Sequence, residues 1–205
     1  MQTFQSTHFK NELEDKGTTL IPANSGFLSK QELERLEALA DNLPTEHVQL
    51  GDANEPNFLR VGRFMTDIHQ SQIVNDDITN EAISILGSSE KMDQYCQILE
   101  KDTLFIRRMQ YNIMEKDSFI GLHLDVDSNP DYLVAVVIQF GDDYEGGEFV
   151  LHNKGNISTY KSKKHDIIIS DCLIPHEVKK IEKGNRKSLV FFLSENGDLN
   201  RRNSN

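Results

Sequence analysis

The chain lacks any run of about twenty apolar residues, the length that spans a bilayer. Its opening, MQTFQSTHFKNELED, has neither the basic stretch nor the apolar core of a secretory leader. A cytoplasmic protein without a membrane segment is the expectation. Cysteine is scarce: Cys96 and Cys172 form no metal-binding pair by spacing and no multi-cysteine framework, so both are expected to stay thiols in a reducing compartment. Basic residues are outnumbered, 22 Lys and Arg against 33 Asp and Glu, for a formal net charge of -11. That balance argues against a nucleic-acid partner, whose phosphates are bound by clustered cations. There is no internal repeat and no linker rich in proline, glycine or serine. At 205 residues, one domain with its own core is expected.

What is present changes in texture near residue 100. Residues 1–100 read as a helical support region of that same domain, residues 101–194 as its β core and residues 195–205 as a polar tail that frays. Leu28, Ser29 and Glu32 make a helix start in which Ser29 caps, Glu32 reaches back and Leu28 staples onto Leu33; Leu36 and Ala40 continue the apolar stripe. A second helix is expected from Asp76 or Asp77 through Ile78, Ala82, Ile83 and Leu86 to Gly87, and a third from Ser89 through Met92, Tyr95 and Leu99. Between the first two, GDANEPNFLRVGRF reads as a long polar loop carrying Arg60 and Arg63, a solvated loop in the first instance, with a lid or a contact to an anionic group as the alternative. The second half is strand-like: Thr103 to Tyr111, Tyr132 to Phe140, Glu148 to His152, Asp166 to Ser170 and Ser188 to Ser194 are short, β-branched or aromatic, and bounded by turn residues. Short strands in that number predict a sandwich or barrel with helices packed outside.

His123 and Asp125 stand two apart in a strand-preferring stretch, so both are expected on one face with Leu124 on the other. Seven histidines and 33 acids among 205 residues make roughly one His-x-Asp or His-x-Glu by chance. The pair alone is therefore weak. It gains weight from His176, beyond a further strand and turn, and from Arg186 ten residues later. Two imidazoles and one carboxylate leave three positions open on an iron ion, the layout of non-haem iron(II) oxygenases. A 2-oxo acid and dioxygen would fill those positions, and the far carboxylate of 2-oxoglutarate would need a cation such as Arg186. Alternation puts Ser188 on the same face as Arg186 and turns Lys187 away. His8, His47, His69, His152 and His165 lack a comparable setting.

From about residue 104 to residue 194 the sequence resembles the prolyl 4-hydroxylase-like branch of the 2-oxoglutarate/Fe(II) oxygenases. The resemblance is carried, in order, by a strand ending at Tyr111, the His123-x-Asp125 pair, YLVAVVIQF, Tyr144-Glu145-Gly146-Gly147-Glu148-Phe149, DIIIS, Pro175-His176-Glu177-Val178 and Gly184-Asn185-Arg186-Lys187-Ser188-Leu189. It implies an α+β fold, a double-stranded β-helix (jelly roll) with the N-terminal helices packed on one sheet. It also implies Fe(II) held by His123, Asp125 and His176, 2-oxoglutarate as co-substrate held by Arg186, Ser188 and Tyr111, O2 as oxidant, ascorbate as an activator, and succinate and CO2 as by-products. Gly146-Gly147 reads as a hairpin device with positive φ.

Asp125 points to hydroxylation or a related oxidation, because halogenating relatives lack the carboxylate. Phe192 stands where nucleic-acid demethylating relatives carry a second arginine. The substrate class stays open between a protein side chain and an amino acid or small natural product. Two readings from other classes also stay open: a cupin-like protein using another metal, and a binding module that kept the fold. Neither would release succinate.

Overall fold

The computed structural model describes residues 4–202. Its elements in chain order are α1 (Ser6–Lys16), β1 (Thr18–Ile21), α2 (Lys30–Asp41), β2 (Thr45–Leu50), β3 (Pro56–Asp67), β4 (Ser71–Ile73), α3 (Asp76–Leu86), α4 (Ser89–Leu99), β5 (Phe105–Met114), β6 (Phe119–His123), a 3-10 turn (Asp125–Asp127), β7 (Val134–Gln139), β8 (Tyr144–Gly146), β9 (Phe149–Asn153), β10 (Asn156–Tyr160), β11 (Ile167–Asp171), β12 (His176–Val178), β13 (Ile181–Gly184) and β14 (Arg186–Ser194). Twelve strands join one curled sheet in the order β1-β11-β7-β14-β5-β3-β6-β12-β9-β10, with β2 and β4 also paired to β3; β8 and β13 form a separate ribbon. Every pairing is antiparallel. The chain is a double-stranded β-helix of the α+β class. No helix of the described residues is long and apolar enough to cross a membrane.

Period two sorts the strand side chains into two cores. Met109 and Tyr111 of β5, Val134, Val136 and Ile138 of β7 and Leu189, Phe191 and Leu193 of β14 face outward and pack against Leu33, Leu36, Ala82, Leu86, Tyr95 and Ile98 of the helices. The opposite faces look into the barrel, where Leu59, Val61, Phe149, Leu151 and Val178 form a smaller cluster. The helix starting at Ser29 has the full capping box: Ser29 accepts from the Glu32 amide and Glu32 accepts from the Ser29 amide. The helices at Asp76 and Ser89 also lie where the apolar spacing places them.

Residues 1–100 supply more than helices. The stretch expected as a loop around Arg60 and Arg63 lies largely in β3, a twelve-residue strand inside the sheet that pairs with β5. Its alternation of Asn57, Leu59, Val61 and Arg63 on one face was masked by Gly, Asn, Pro and two arginines, turn-like and charged residues that a strand tolerates when one face lines a polar cavity. Helix α1 and strands β1, β2 and β4 likewise carry too little apolar periodicity to stand out. The tail is also tied down through its described part: Asn200 donates to the carbonyls of Asp67 and Ser128, and Arg201 pairs with Asp131. Gly146 and Gly147 do have positive φ, 74° and 68°. They make a crossover from the β8 ribbon to β9, not a hairpin.

Candidate active site

His123 ends β6 and His176 opens β12, and the two residues are direct cross-strand partners. Side chains opposite one another on antiparallel strands share a face, and the imidazole centroids are 4.4 Å apart. Asp125 reaches them differently from the strand alternation expected for it. The strand stops at His123, and Asp125 opens the 3-10 turn that follows. Its Oδ1 lies 3.3 Å from His123 Nε2 and its Oδ2 lies 3.5 Å from His176 Nε2. One ligand atom from each of the three falls within 4.8 Å of the others.

Backbone carbonyls set the orientation of both rings. His123 Nδ1 is 2.8 Å from the Gly121 carbonyl and His176 Nδ1 is 3.0 Å from that of Ile174. A carbonyl only accepts, so Nδ1 carries the proton in each ring and the Nε2 lone pair is free to bind a metal. Asp125 Oδ2 is buried with no hydrogen-bond partner among the described residues, an expensive state that a cation would relieve. Burial pulls the His176 imidazole below its ordinary pKa, against the pull of Asp125, which favours the neutral form a metal requires. Burial alone would raise the Asp125 carboxyl, but the His176 and His123 imidazoles bring it net below the usual range. Burial also lowers His123, where the hydrogen bond and charge of Asp125 outweigh it and leave the net direction upward. The donor set fits a divalent transition metal with open positions.

A second network holds the turn that presents Asp125. Asp67 of β3 is ion-paired with the fully buried Arg107 at 2.9 Å and accepts from Asn129 Nδ2 and the Tyr132 hydroxyl at 2.9 and 3.0 Å. The Asn129 amide in turn donates to the Asp125 carbonyl.

Arg186 and Ser188 lie on the inner face of β14 and line the same cavity as the triad. Arg186 is 3% exposed. Its Nη1 donates to Ser188 Oγ at 3.2 Å and lies 3.6 Å from Met114 Sδ, and its Nε has no partner among the described residues. Burial lowers its pKa, and the neighbouring Tyr144 phenol opposes that. Gly147 gives the stem room: a Cβ there would stand 2.3 Å from Ile181 Cδ1 and 3.2 Å from Arg186 Cδ.

Tyr111 is not brought to this site. Its hydroxyl donates to Asp41 Oδ1 at 2.6 Å on the helix side of the sheet, and the ring packs against Phe140. The register gives the reason. Leu189 is the partner of Tyr111, whereas Ser188 is opposite Asn112 and Arg186 opposite Met114, so Asn112 and Met114, not Tyr111, share a face with Arg186 and Ser188. Arg108, Gln110 and Asn112 all line the cavity, as do Arg63 and Asn57 of β3. Sequence reasoning missed these residues, although the alternation Arg108-Met109-Gln110-Tyr111-Asn112 carried the signal. Arg60 points elsewhere, to Thr45 and Glu115. Among the other histidines, His152 pairs with Glu177 and His165 lies near Glu37.

The model of the 2OG-Fe(II) oxygenase superfamily matches residues 109–194. The fold superposes on an oxidoreductase of the 2OG-Fe(II) oxygenase family from Burkholderia pseudomallei with a TM-score of 0.91 and 36% identity, covering 97% of this chain and 94% of that one. More distant in sequence is a Trichoplax adhaerens prolyl hydroxylase solved with a hypoxia inducible factor peptide, at TM-score 0.68 and 15% identity over 93% of this chain and 89% of that one. The α-ketoglutarate dependent epimerase SnoN from nogalamycin biosynthesis gives 0.67 and 9% over 92% and 81%. No curated protein matches the sequence. The last two likenesses speak to fold alone, but the first spans both chains at an identity that marks common membership. This chain belongs to the 2OG-Fe(II) oxygenase superfamily and, as that membership entails, is a dioxygenase that works with iron(II) and 2-oxoglutarate.

Proposed function

We propose that His123 Nε2, Asp125 and His176 Nε2 hold the iron, that Arg186 with Ser188 holds the distal carboxylate of 2-oxoglutarate, and that the enzyme hydroxylates an unactivated C–H bond of an amino acid or a protein side chain. The observation that carries this reading is Arg186. A guanidinium 3% exposed, with no carboxylate in ion-pair range among the described residues, is costly unless an anion completes it. That cation opens into the cavity that also holds the triad.

When bound, iron(II) with 2-oxoglutarate and dioxygen supplies the oxidant, and the co-substrate leaves as succinate and CO2. The chain's own residues do the rest. The carbonyls of Gly121 and Ile174 keep both imidazoles in the metal-binding tautomer. Arg186 offers a fork that fits two carboxylate oxygens, and Ser188 Oγ a further hydroxyl. Val61, Val137, Phe149 and Val178 give part of the cavity apolar walls.

Anaerobic addition of iron(II) and 2-oxoglutarate should give the weak visible charge-transfer band of the chelate, and admitting air should release succinate. In His176→Ala both signals should fall to background. Succinate release by that variant at the parent rate would remove His176 from the ligand set.

A further inference from the structure

The inner face of β5 is unusual for a barrel strand. Facing positions of a small barrel are ordinarily filled by apolar packing, yet here Arg108, Gln110 and Asn112 follow one another along the cavity wall. They form a hydrogen-bonded row: Arg108 Nη2 and Nε donate to Gln110 Oε1 at 2.6 and 3.1 Å, and Gln110 Nε2 donates to Asn112 Oδ1 at 2.8 Å. The row starts near Arg186, since Asn112 pairs with Ser188, and ends at Arg108. Met114, the partner of Arg186, stands six positions beyond Arg108, so the two cationic positions are about 20 Å apart along the backbone.

Arg108 is positioned by its neighbours. Its guanidinium lies 6.0 Å from the centre of the Phe192 ring, which itself stacks on Tyr132 at 4.4 Å and 9°. Arg63, opposite Gln110 on β3, brings a second guanidinium to the same cavity. Both arginines are paired with carboxylates from the segment that precedes β3 or from β2: Arg108 with Asp52 at 2.6 Å and Arg63 with Glu46 at 2.8 Å. The partners differ in burial from the cations they meet. Arg108 is 12% exposed against 41% for Asp52, and Arg63 27% against 62% for Glu46. Ion pairs with so exposed a partner are worth little and exchange readily. Arg107, one residue away, shows the contrast, being locked on the buried Asp67.

We infer that Arg108, supported by Arg63, is the anion-binding end of the substrate site, and that the molecule oxidised is a small carboxylic acid whose carboxylate displaces Asp52. Its polar backbone or substituents lie along Gln110 and Asn112. The inference rests on the cavity being the oxygenase centre and narrows its substrate to small acids over protein side chains.

The test uses the full chain loaded anaerobically with iron(II) and 2-oxoglutarate, with binding read by calorimetry and by perturbation of the chelate band. The probes are the twenty common L-amino acids and a set of hydroxy and dicarboxylic acids, each against its primary amide, and a set of acidic peptides. At least one free acid should bind about tenfold or more tighter than its amide. Arg108→Met should abolish that preference while still forming the chelate band, which also reports that it folds; Arg108→Lys should restore part of it. Asp52→Asn, which removes the competing carboxylate, should tighten acid binding several-fold, an effect that a purely structural Asp52–Arg108 pair would not produce. If no acid outbinds its amide, if Arg108→Met binds as the parent does, or if only the peptides bind, the inference is overturned. Absence of the chelate band in the parent would instead overturn the assignment of the centre itself.

Discussion

Arg186 and Tyr111 are offset by three positions of register on neighbouring strands, and their fates differ because strand side chains alternate. Arg186 faces the cavity without an anionic partner among the described residues, and truncating one member of a buried charged contact costs roughly 2–5 kcal/mol. Arg186→Met should therefore raise the 2-oxoglutarate requirement about thirtyfold or more while iron still binds; steady-state kinetics in 2-oxoglutarate against an iron titration will separate the two. Tyr111 faces the helices and gives its proton to Asp41. Tyr111→Phe should cost about 1 kcal/mol in urea unfolding, the ordinary worth of one hydrogen bond, and leave the 2-oxoglutarate KM where it was. A shifted KM would return Tyr111 to the site.

Among the elements, the 3-10 turn and β3 matter most to chemistry. The turn is too short to hold itself, and the Asp67–Arg107–Asn129–Tyr132 network anchors it to β3 and β5. Asp67→Ala leaves the Arg107 charge buried and unpaired, and should destabilise by roughly 3–5 kcal/mol. Chemical denaturation of Asp67→Ala beside Asp67→Asn measures this, and a loss under 1 kcal/mol in the alanine variant would show the network to be dispensable. The start of the helix at Ser29 was legible to the residue because its capping box and apolar stripe are local signals. Strand β3 was not, because what makes it a strand is its partner β5, some fifty residues later.

At the scale of the molecule, the excess of acid has a consequence for pH. Burial raises the Asp41 carboxyl, but hydrogen bonds from Lys187 and Tyr111 outweigh it and leave the net direction downward. The hydrogen bonds and charge of Arg201 hold Asp131 down. Glu12 is raised by burial and lowered further by Lys16 and Thr19, again with a net fall. A carboxyl whose folded pKa is depressed stabilises the fold above its unfolded value and loses that contribution as pH falls through the folded one. Thermal unfolding from pH 7 to pH 3 should thus show Tm dropping below roughly pH 4, where carboxylates begin to protonate. A Tm that rose on acidification would contradict the sign.

The sequence by itself determined the three helices with strong periodicity, the β character of the second half, and the residue types at His123, Asp125, His176 and Arg186, because caps, period and ligand chemistry are written in short stretches of chain. Only the tertiary structure decided that His123 and His176 meet as cross-strand partners, that Asp125 arrives on a turn, and that Arg108, Gln110 and Asn112, not Tyr111, line the cavity. Those facts depend on which strands pair and in which register. A shift of one residue in register turns every side chain to the opposite face, so the wall of the site is fixed by contacts between segments far apart in the chain.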